Sequence, residues 1–273
     1  MIGQKNLLKL ISEQMEFNDF PRFSIIVGPE GSGKKTLTNW IAERLDYPRA
    51  IIEPKVDSIR QMIKECYDVK SPVLYVIIDS DKMSQQAKNA MLKVCEETPN
   101  NAYIIMLVND METVLPTIRS RACVYHMERY TTQELLEFAG TKDYAITEIC
   151  ETPGDVIKLE FIGVKEFYDY VLKVVNHIAV VSPANALKIR DEIDFKGDDP
   201  EKYDVTLFFR AFRSICGTSL MNAVKTDDIE GQMIASAGIK VATKYLEQLK
   251  ITGINKSAVF DMFILEMQKE WDV

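Results

Sequence analysis

Residues 23–34 constrain the fold more than any other stretch. Phe23-Ser24-Ile25-Ile26-Val27 is a short apolar run, followed at once by Gly28-Pro29-Glu30-Gly31-Ser32-Gly33-Lys34. A strand that ends in a glycine-rich turn and enters a helix directly aims backbone N–H groups and the positive helix end at one point. A phosphate is the natural occupant of that point. Gly28, Gly31, Ser32 and Gly33 form the candidate cradle, and Lys34 is placed to reach the outer phosphates. The pattern breaks one residue later. Lys35 stands where a Ser or Thr hydroxyl is expected to ligate magnesium. Thr36 carries a hydroxyl, but one helical position on, a rotation of about 100°. Phosphate binding and magnesium-dependent catalysis therefore come apart at this loop. A glycine turn with no ligand remains the plain alternative.

The rest of the first half alternates in kind. Lys34 to Leu45 reads as a helix and Ala50-Ile51-Ile52 as a strand. Val56 to Cys66 is amphipathic, with Ile59, Met62 and Ile63 on one face. The unbroken apolar run 73–78 predicts a central parallel strand covered on both faces. Ser84 caps a helix to about Glu97, Ala102 to Val108 is another buried strand, and Val124-Tyr125-His126 a last short one. This order predicts an α/β domain with a five-stranded parallel sheet.

Helices dominate after Arg129. Thr131 and Glu134 have capping-box spacing. Thr152-Pro153-Gly154 interrupts a small helical unit, and longer helices follow from about Val164. Ser182-Pro183 and Asp199-Pro200 read as helix starts, Asn255 as a cap, and Lys196 to Pro200 as a loop. Phe260, Met262, Phe263, Ile264 and Met267 form an apolar surface on the last helix, read chiefly as core. The predicted division is 1–128 for the α/β domain, 129–163 for a small helical unit and 164–273 for a helical bundle.

Charge and cysteine usage narrow the function. With 33 Lys and Arg against 41 Asp and Glu, the net charge is −8. Such a chain is a poor autonomous nucleic-acid binder. Its five cysteines form no CxxC pair and it has only two histidines, which argues against zinc and against a disulfide framework. No apolar run approaches the roughly 20 residues of a membrane span, and the first residues lack the order of a secretion signal. The expectation is a cytoplasmic protein with no membrane partner.

The second candidate element is Ile77-Ile78-Asp79-Ser80-Asp81. A phosphate-loop ATPase places an acid at the end of this strand for magnesium, and many add a neighbour that polarises water. Either Asp79 or Asp81 could instead cap the following turn.

Here a resemblance becomes specific. Asp79-Ser80-Asp81-Lys82-Met83, Ala87-Lys88-Asn89-Ala90-Met91-Leu92-Lys93 and Glu96-Glu97-Thr98-Pro99 resemble a continuous run in bacterial clamp-loader subunits. These are AAA+ proteins of the DNA polymerase III holoenzyme. Leu115-Pro116-Thr117-Ile118-Arg119-Ser120-Arg121 is similar to that family's Ser-Arg segment. Gly3-Gln4, Ser58-Ile59-Arg60 and Thr152-Pro153-Gly154 match smaller family motifs, so the likeness covers about residues 1–160.

The resemblance implies an AAA+ domain, a helical lid and a helical collar. It implies a hetero-pentamer with motor and delta subunits that loads a sliding clamp on primed DNA, with ATP as cofactor. Departures from the pattern choose the subunit. The family's magnesium acid falls on Ile78, its catalytic acid on Asp79, and its ATP-sensing lid Arg on Asp155. The family's zinc-binding insert is absent. The departures resemble the delta-prime stator, which implies no intrinsic ATPase and a poorly held magnesium ion. The stator donates an arginine finger in trans, and Arg121 matches it, with Arg119 as substitute or helper. Asn109 matches a γ-phosphate sensor. Three alternatives stay open: an ATP-hydrolysing gamma/tau-like motor, a free-standing P-loop ATPase or kinase, and an interaction module with a vestigial loop.

Overall fold

A computed structural model of the chain describes residues 2–180, 182–195, 202–251 and 253–271. It divides into two compact units: 1–134 with 152–154, and 135–151 with 155–273.

The first unit alternates helices and strands. In chain order they are α1 (Lys5–Glu16), β1 (Phe23–Val27), α2 (Lys34–Leu45), β2 (Arg49–Ile52), α3 (Val56–Asp68) and β3 (Val73–Ile77). Then come α4 (Gln85–Glu96), β4 (Ala102–Val108), α5 (Pro116–Arg119) and β5 (Cys123–His126). The sheet order is β2-β3-β4-β1-β5, and every pairing is parallel. All five residues of β1 are buried, as expected for a strand covered on both sides.

The two-residue period of a strand sends alternate side chains to opposite faces. Ile25, Val27, Tyr75, Ile77, Ile104 and Met106 pack with Ile59, Met62, Met91 and Val94 of α3 and α4. Ile26, Leu74, Val76, Ile105 and Leu107 pack instead with Leu7, Ile11, Leu37 and Ile41 of α1 and α2. The result is a helix–sheet–helix sandwich. Its N-terminus is tied down by the buried Gln4, which donates to Glu128 O at 2.8 Å and accepts from Glu128 N at 2.6 Å.

The second unit is built on α6 (Thr132–Ala139), α7 (Ala145–Ile149), α8 (Pro153–Ile162), α9 (Val164–Val180) and α10 (Pro183–Ala186). It continues with α11 (Val205–Lys225), α12 (Ile229–Leu249) and α13 (Lys256–Glu270). Its core is aromatic: Phe208, Phe209 and Phe212 of α11, Tyr245 of α12, and Phe260 and Phe263 of α13 are all buried.

Local chemistry sets several helix starts. Ser84, Asp204, Asp228 and Asn255 each accept a backbone N–H in the first turn of the following helix. At α6 the capping box closes both ways. Thr131 N donates to Glu134 Oε2 at 2.9 Å, and Glu134 N donates to Thr131 Oγ1 at 3.2 Å.

One reading needs correction. Met262 is 56% exposed, while Phe260, Phe263, Ile264 and Met267 are buried. Those four follow i, i+3, i+4, i+7 spacing and share a face, and Met262 falls off it. The α3 helix also runs two residues past the predicted Cys66. The loop and helix start expected at 196–200 lie outside the described residues.

Candidate functional site

In a parallel sheet of this order, the strand order reverses at β1, where β4 and β5 flank it. Ligands bind at the carboxyl ends of strands at such a reversal. The glycine turn lies there, between β1 and the start of α2. Gly31 (φ 76°) and Gly33 (φ 87°) take left-handed backbone conformations that a side chain would strain.

The turn is closed on itself. Lys34 Nζ donates to Gly28 O at 2.6 Å, to Pro29 O at 2.8 Å and to Asn109 Oδ1 at 2.8 Å. The ammonium thus rests on the loop's own carbonyls and on the end of β4. The Ser32 hydroxyl is buried with no hydrogen-bond partner, the one orphaned group in the cradle among the described residues. The Ser32 carbonyl accepts from Tyr130 OH at 2.8 Å.

Thr152-Pro153-Gly154 rests directly on the turn. Gly154 N donates to Gly31 O at 3.1 Å. A Cβ on Gly31 would meet Thr152 Oγ1 at 2.6 Å and Gly154 Cα at 2.9 Å, and one on Gly154 would strike the Gly31 backbone. Both glycines are therefore required by this approach.

The acids beside β3 are engaged elsewhere. The Asp81 carboxylate accepts from Asn109 N at 3.0 and 2.8 Å, from Asp110 N at 3.0 Å and from Thr113 Oγ1 at 3.0 Å. It fixes the end of β4. Asp79 has a left-handed backbone (φ 47°) and pairs with Lys82 at 3.5 Å. Lys35 and Thr36 are exposed. A magnesium ion held by a loop hydroxyl and a strand-end acid does not fit this donor set. Lys35 stands at the hydroxyl's position, Ile78 at the position that the resemblance gives the acid, and Asp81 already accepts from three donors. Among the described residues, no group of three or more His, Cys, Asp or Glu is poised for a metal.

Burial pulls the Lys34 ammonium down to about 8, although Asp81, Glu30 and Asp79 oppose the shift. The unfolded chain, with the ordinary lysine value, then binds more protons than the folded one between pH 8 and the usual lysine range. This group's contribution therefore makes stability rise with pH across that window. It also raises the fraction of free amine at Lys34 near pH 8. In a pH series of amine acylation read by peptide mass mapping, Lys34 should label with a midpoint near pH 8. A Lys34 midpoint in the ordinary lysine range would contradict the burial argument.

Asp155, where the resemblance places an ATP-sensing Arg, has a structural task in the second unit. It accepts from Glu151 N at 3.0 Å and from Arg210 Nη1 at 2.8 Å. Arg210 also bonds Glu151 Oε2 at 2.9 Å and Ile149 O at 3.3 Å, and its side chain is 13% exposed. The Asp155→Ala variant should lose about 2 kcal/mol in urea unfolding, less than the ~3–5 of a fully buried pair because Glu151 still answers Arg210.

The two arginines of the 115–121 segment differ sharply. Arg119 is half-buried, and its Nη2 donates to Met111 O and Val114 O. It staples the loop before α5. Arg121 is exposed, with Nη1 donating to Thr117 O and Nη2 to Glu96 Oε1, both at 2.6 Å. The structure therefore gathers Lys34, Asp81 and Asn109 into one cluster, while Arg121 bonds to α4 and α5. Tyr130 OH and Gly154 N also hold the cradle, and Gln4 fixes the backbone at Glu128, two residues before Tyr130. Gln4 and Gly154 were visible only as motif residues, and Tyr130 carried no signal.

Comparisons with known proteins bear on the family and the fold. A family profile described as DNA polymerase III, delta subunit, matches residues 49–131. The DNA polymerase III subunit gamma of Buchnera aphidicola is 24% identical over 50% of this chain and 47% of its own length. Replication factor C small subunit 1 of Pyrobaculum aerophilum is 29% identical over 62% of this chain and 58% of its own length. The chain thus spans about half the length of the curated relatives it matches. A solved gamma subunit-related protein of DNA polymerase III from Thermotoga maritima has the same fold. It covers 96% of this chain and 99% of its own, with a TM-score of 0.51 and 14% identity.

Proposed function

We propose that this chain is a clamp-loader AAA+ subunit and, within that family, a delta-prime-like stator. In this reading it hydrolyses no ATP and donates Arg121 to a neighbour's nucleotide. The observation that carries it is the closed loop: Lys34 is satisfied by Gly28 O, Pro29 O and Asn109 Oδ1. Lys35 and Ile78 stand where magnesium ligands are needed. A phosphate would have to draw Lys34 out of three hydrogen bonds, with no held metal to share its charge. The exposed guanidinium of Arg121 supports the other half of the role, since a finger must reach beyond its own chain.

The assembly is a hetero-pentamer of motor, delta and stator subunits that places a sliding clamp on primed DNA in the cytoplasm. Residues 129–163 act as its lid segment and 164–273 as its collar. With net charge −8, the chain's share of DNA contact is small. ATP enters as the neighbour's ligand, or as an occupant of this loop that is not turned over.

A second reading, a gamma/tau-like motor, draws support from the relatives named gamma and from the retained glycines and Lys34. The two readings separate in the reconstituted assembly. Lys34→Ala should leave steady-state ATP turnover within about twofold if the chain is a stator. A motor would lose its share of the turnover.

A further inference from the structure

We propose that Glu96 is the positioning residue for Arg121, holding the guanidinium in place before a neighbour's phosphate meets it. This rests on the reading of Arg121 as a donated finger. Glu96 is the last residue of α4, and Arg121 lies two residues past α5. Their ion pair measures 2.6 Å, and the Thr117 carbonyl takes the other terminal nitrogen at 2.6 Å. Two short bonds on two different nitrogens, from two helices, fix both the position and the plane of the group. With either bond alone it could still swing.

A guanidinium has five N–H donors in a rigid fork. Glu96 and Thr117 each take one in a short bond, and Ser120 Oγ lies at a marginal 3.5 Å. Donors remain for a phosphate. Ordering a free arginine costs rotamer entropy, and the Glu96 and Thr117 bonds bear part of that cost before the neighbour arrives. The pair itself is exposed, at 35% for Arg121 and 52% for Glu96. Such a surface pair contributes little to folding, so stability alone does not explain so short and double-anchored an arrangement.

Glu96→Gln keeps the size and removes the charge, and because the site is exposed the variant should fold normally. In the full chain assembled with its clamp-loader partners, E96Q should lower kcat for ATP by about tenfold to 10²-fold, the size of a small misplacement of a reacting group. KM for ATP should not change, because other residues hold the nucleotide. Glu96→Asp, which keeps the charge, should recover part of the rate. In the isolated full chain, nitrogen NMR should resolve the Arg121 terminal nitrogens in the wild type and show them averaged in E96Q.

Wild-type kcat in E96Q, beside a large loss in Arg121→Lys, would overturn the role of Glu96 and leave the finger standing. A higher kcat in E96Q would also overturn it, because the carboxylate would then compete with phosphate. An unchanged rate in Arg121→Lys would remove the finger itself, and the positioning role with it.

Discussion

Arg121→Ala, assembled with motor partners, is expected to lower ATP turnover at the adjacent site by about 10³-fold or more, the range seen when an arginine finger is lost. On the stator reading, the charge that builds on the transferred phosphoryl group would lose one of its compensating cations. The rate should fall in kcat, while binding of ATP to the neighbour changes little. The isolated chain should unfold as before, since Arg121 is exposed and anchored only to Thr117 O and Glu96. The contrast with Arg119 sharpens the expectation. Arg119 serves Met111 O and Val114 O, so Arg119→Ala should loosen the segment and cost stability as well as rate. Stopped-flow or coupled-assay turnover at saturating ATP, with melting curves of the same proteins, separates the two.

The largest expected effect on folding lies in the second unit. Phe263 is fully buried, with ring centroids 4.7 Å from Phe209, 5.2 Å from Phe212 and 5.9 Å from Tyr245. Phe263→Ala should destabilise this unit by about 3–5 kcal/mol, the transfer loss plus a residual cavity. That is a large share of the roughly 5–15 kcal/mol that holds a typical domain. Met262, one position away and 56% exposed, should tolerate alanine with a change within about 0.5 kcal/mol. Denaturant unfolding of the two variants checks both. Equal losses would mean that the α13 face assignment is wrong.

These two residues also mark how far the sequence could be read. The strand–turn–helix at 23–45, the alternation through residue 126 and the caps at Ser84, Thr131 and Asn255 were all legible. Each is set by short-range rules: period, glycine placement, or a side chain that reaches three residues on. The face of α13 was legible in principle from i, i+3, i+4, i+7 spacing, yet Met262 is as apolar as its neighbours and composition alone does not exclude it.

The site was legible in its members but not in their engagements. Nothing local says that Lys34 turns onto Gly28 O and Pro29 O, because that depends on Asn109, 75 residues away. The engagement of Asp81 depends on the loop after β4, 28 residues on. The Gly31–Gly154 approach needs two glycines more than a hundred residues apart, and only the contact explains why both are glycine. Glu96 sat inside a recognised block with no spacing signal to single it out, since its partner Arg121 lies 25 residues on, just past α5.

The most direct test of the stator account is ATP turnover by the purified chain alone, with magnesium, beside equilibrium binding of the same nucleotide. The closed loop, Lys35 and Ile78 predict turnover indistinguishable from the Lys34→Ala control, whether or not nucleotide binds. Steady turnover that Lys34→Ala abolishes would contradict the account and make the chain a motor.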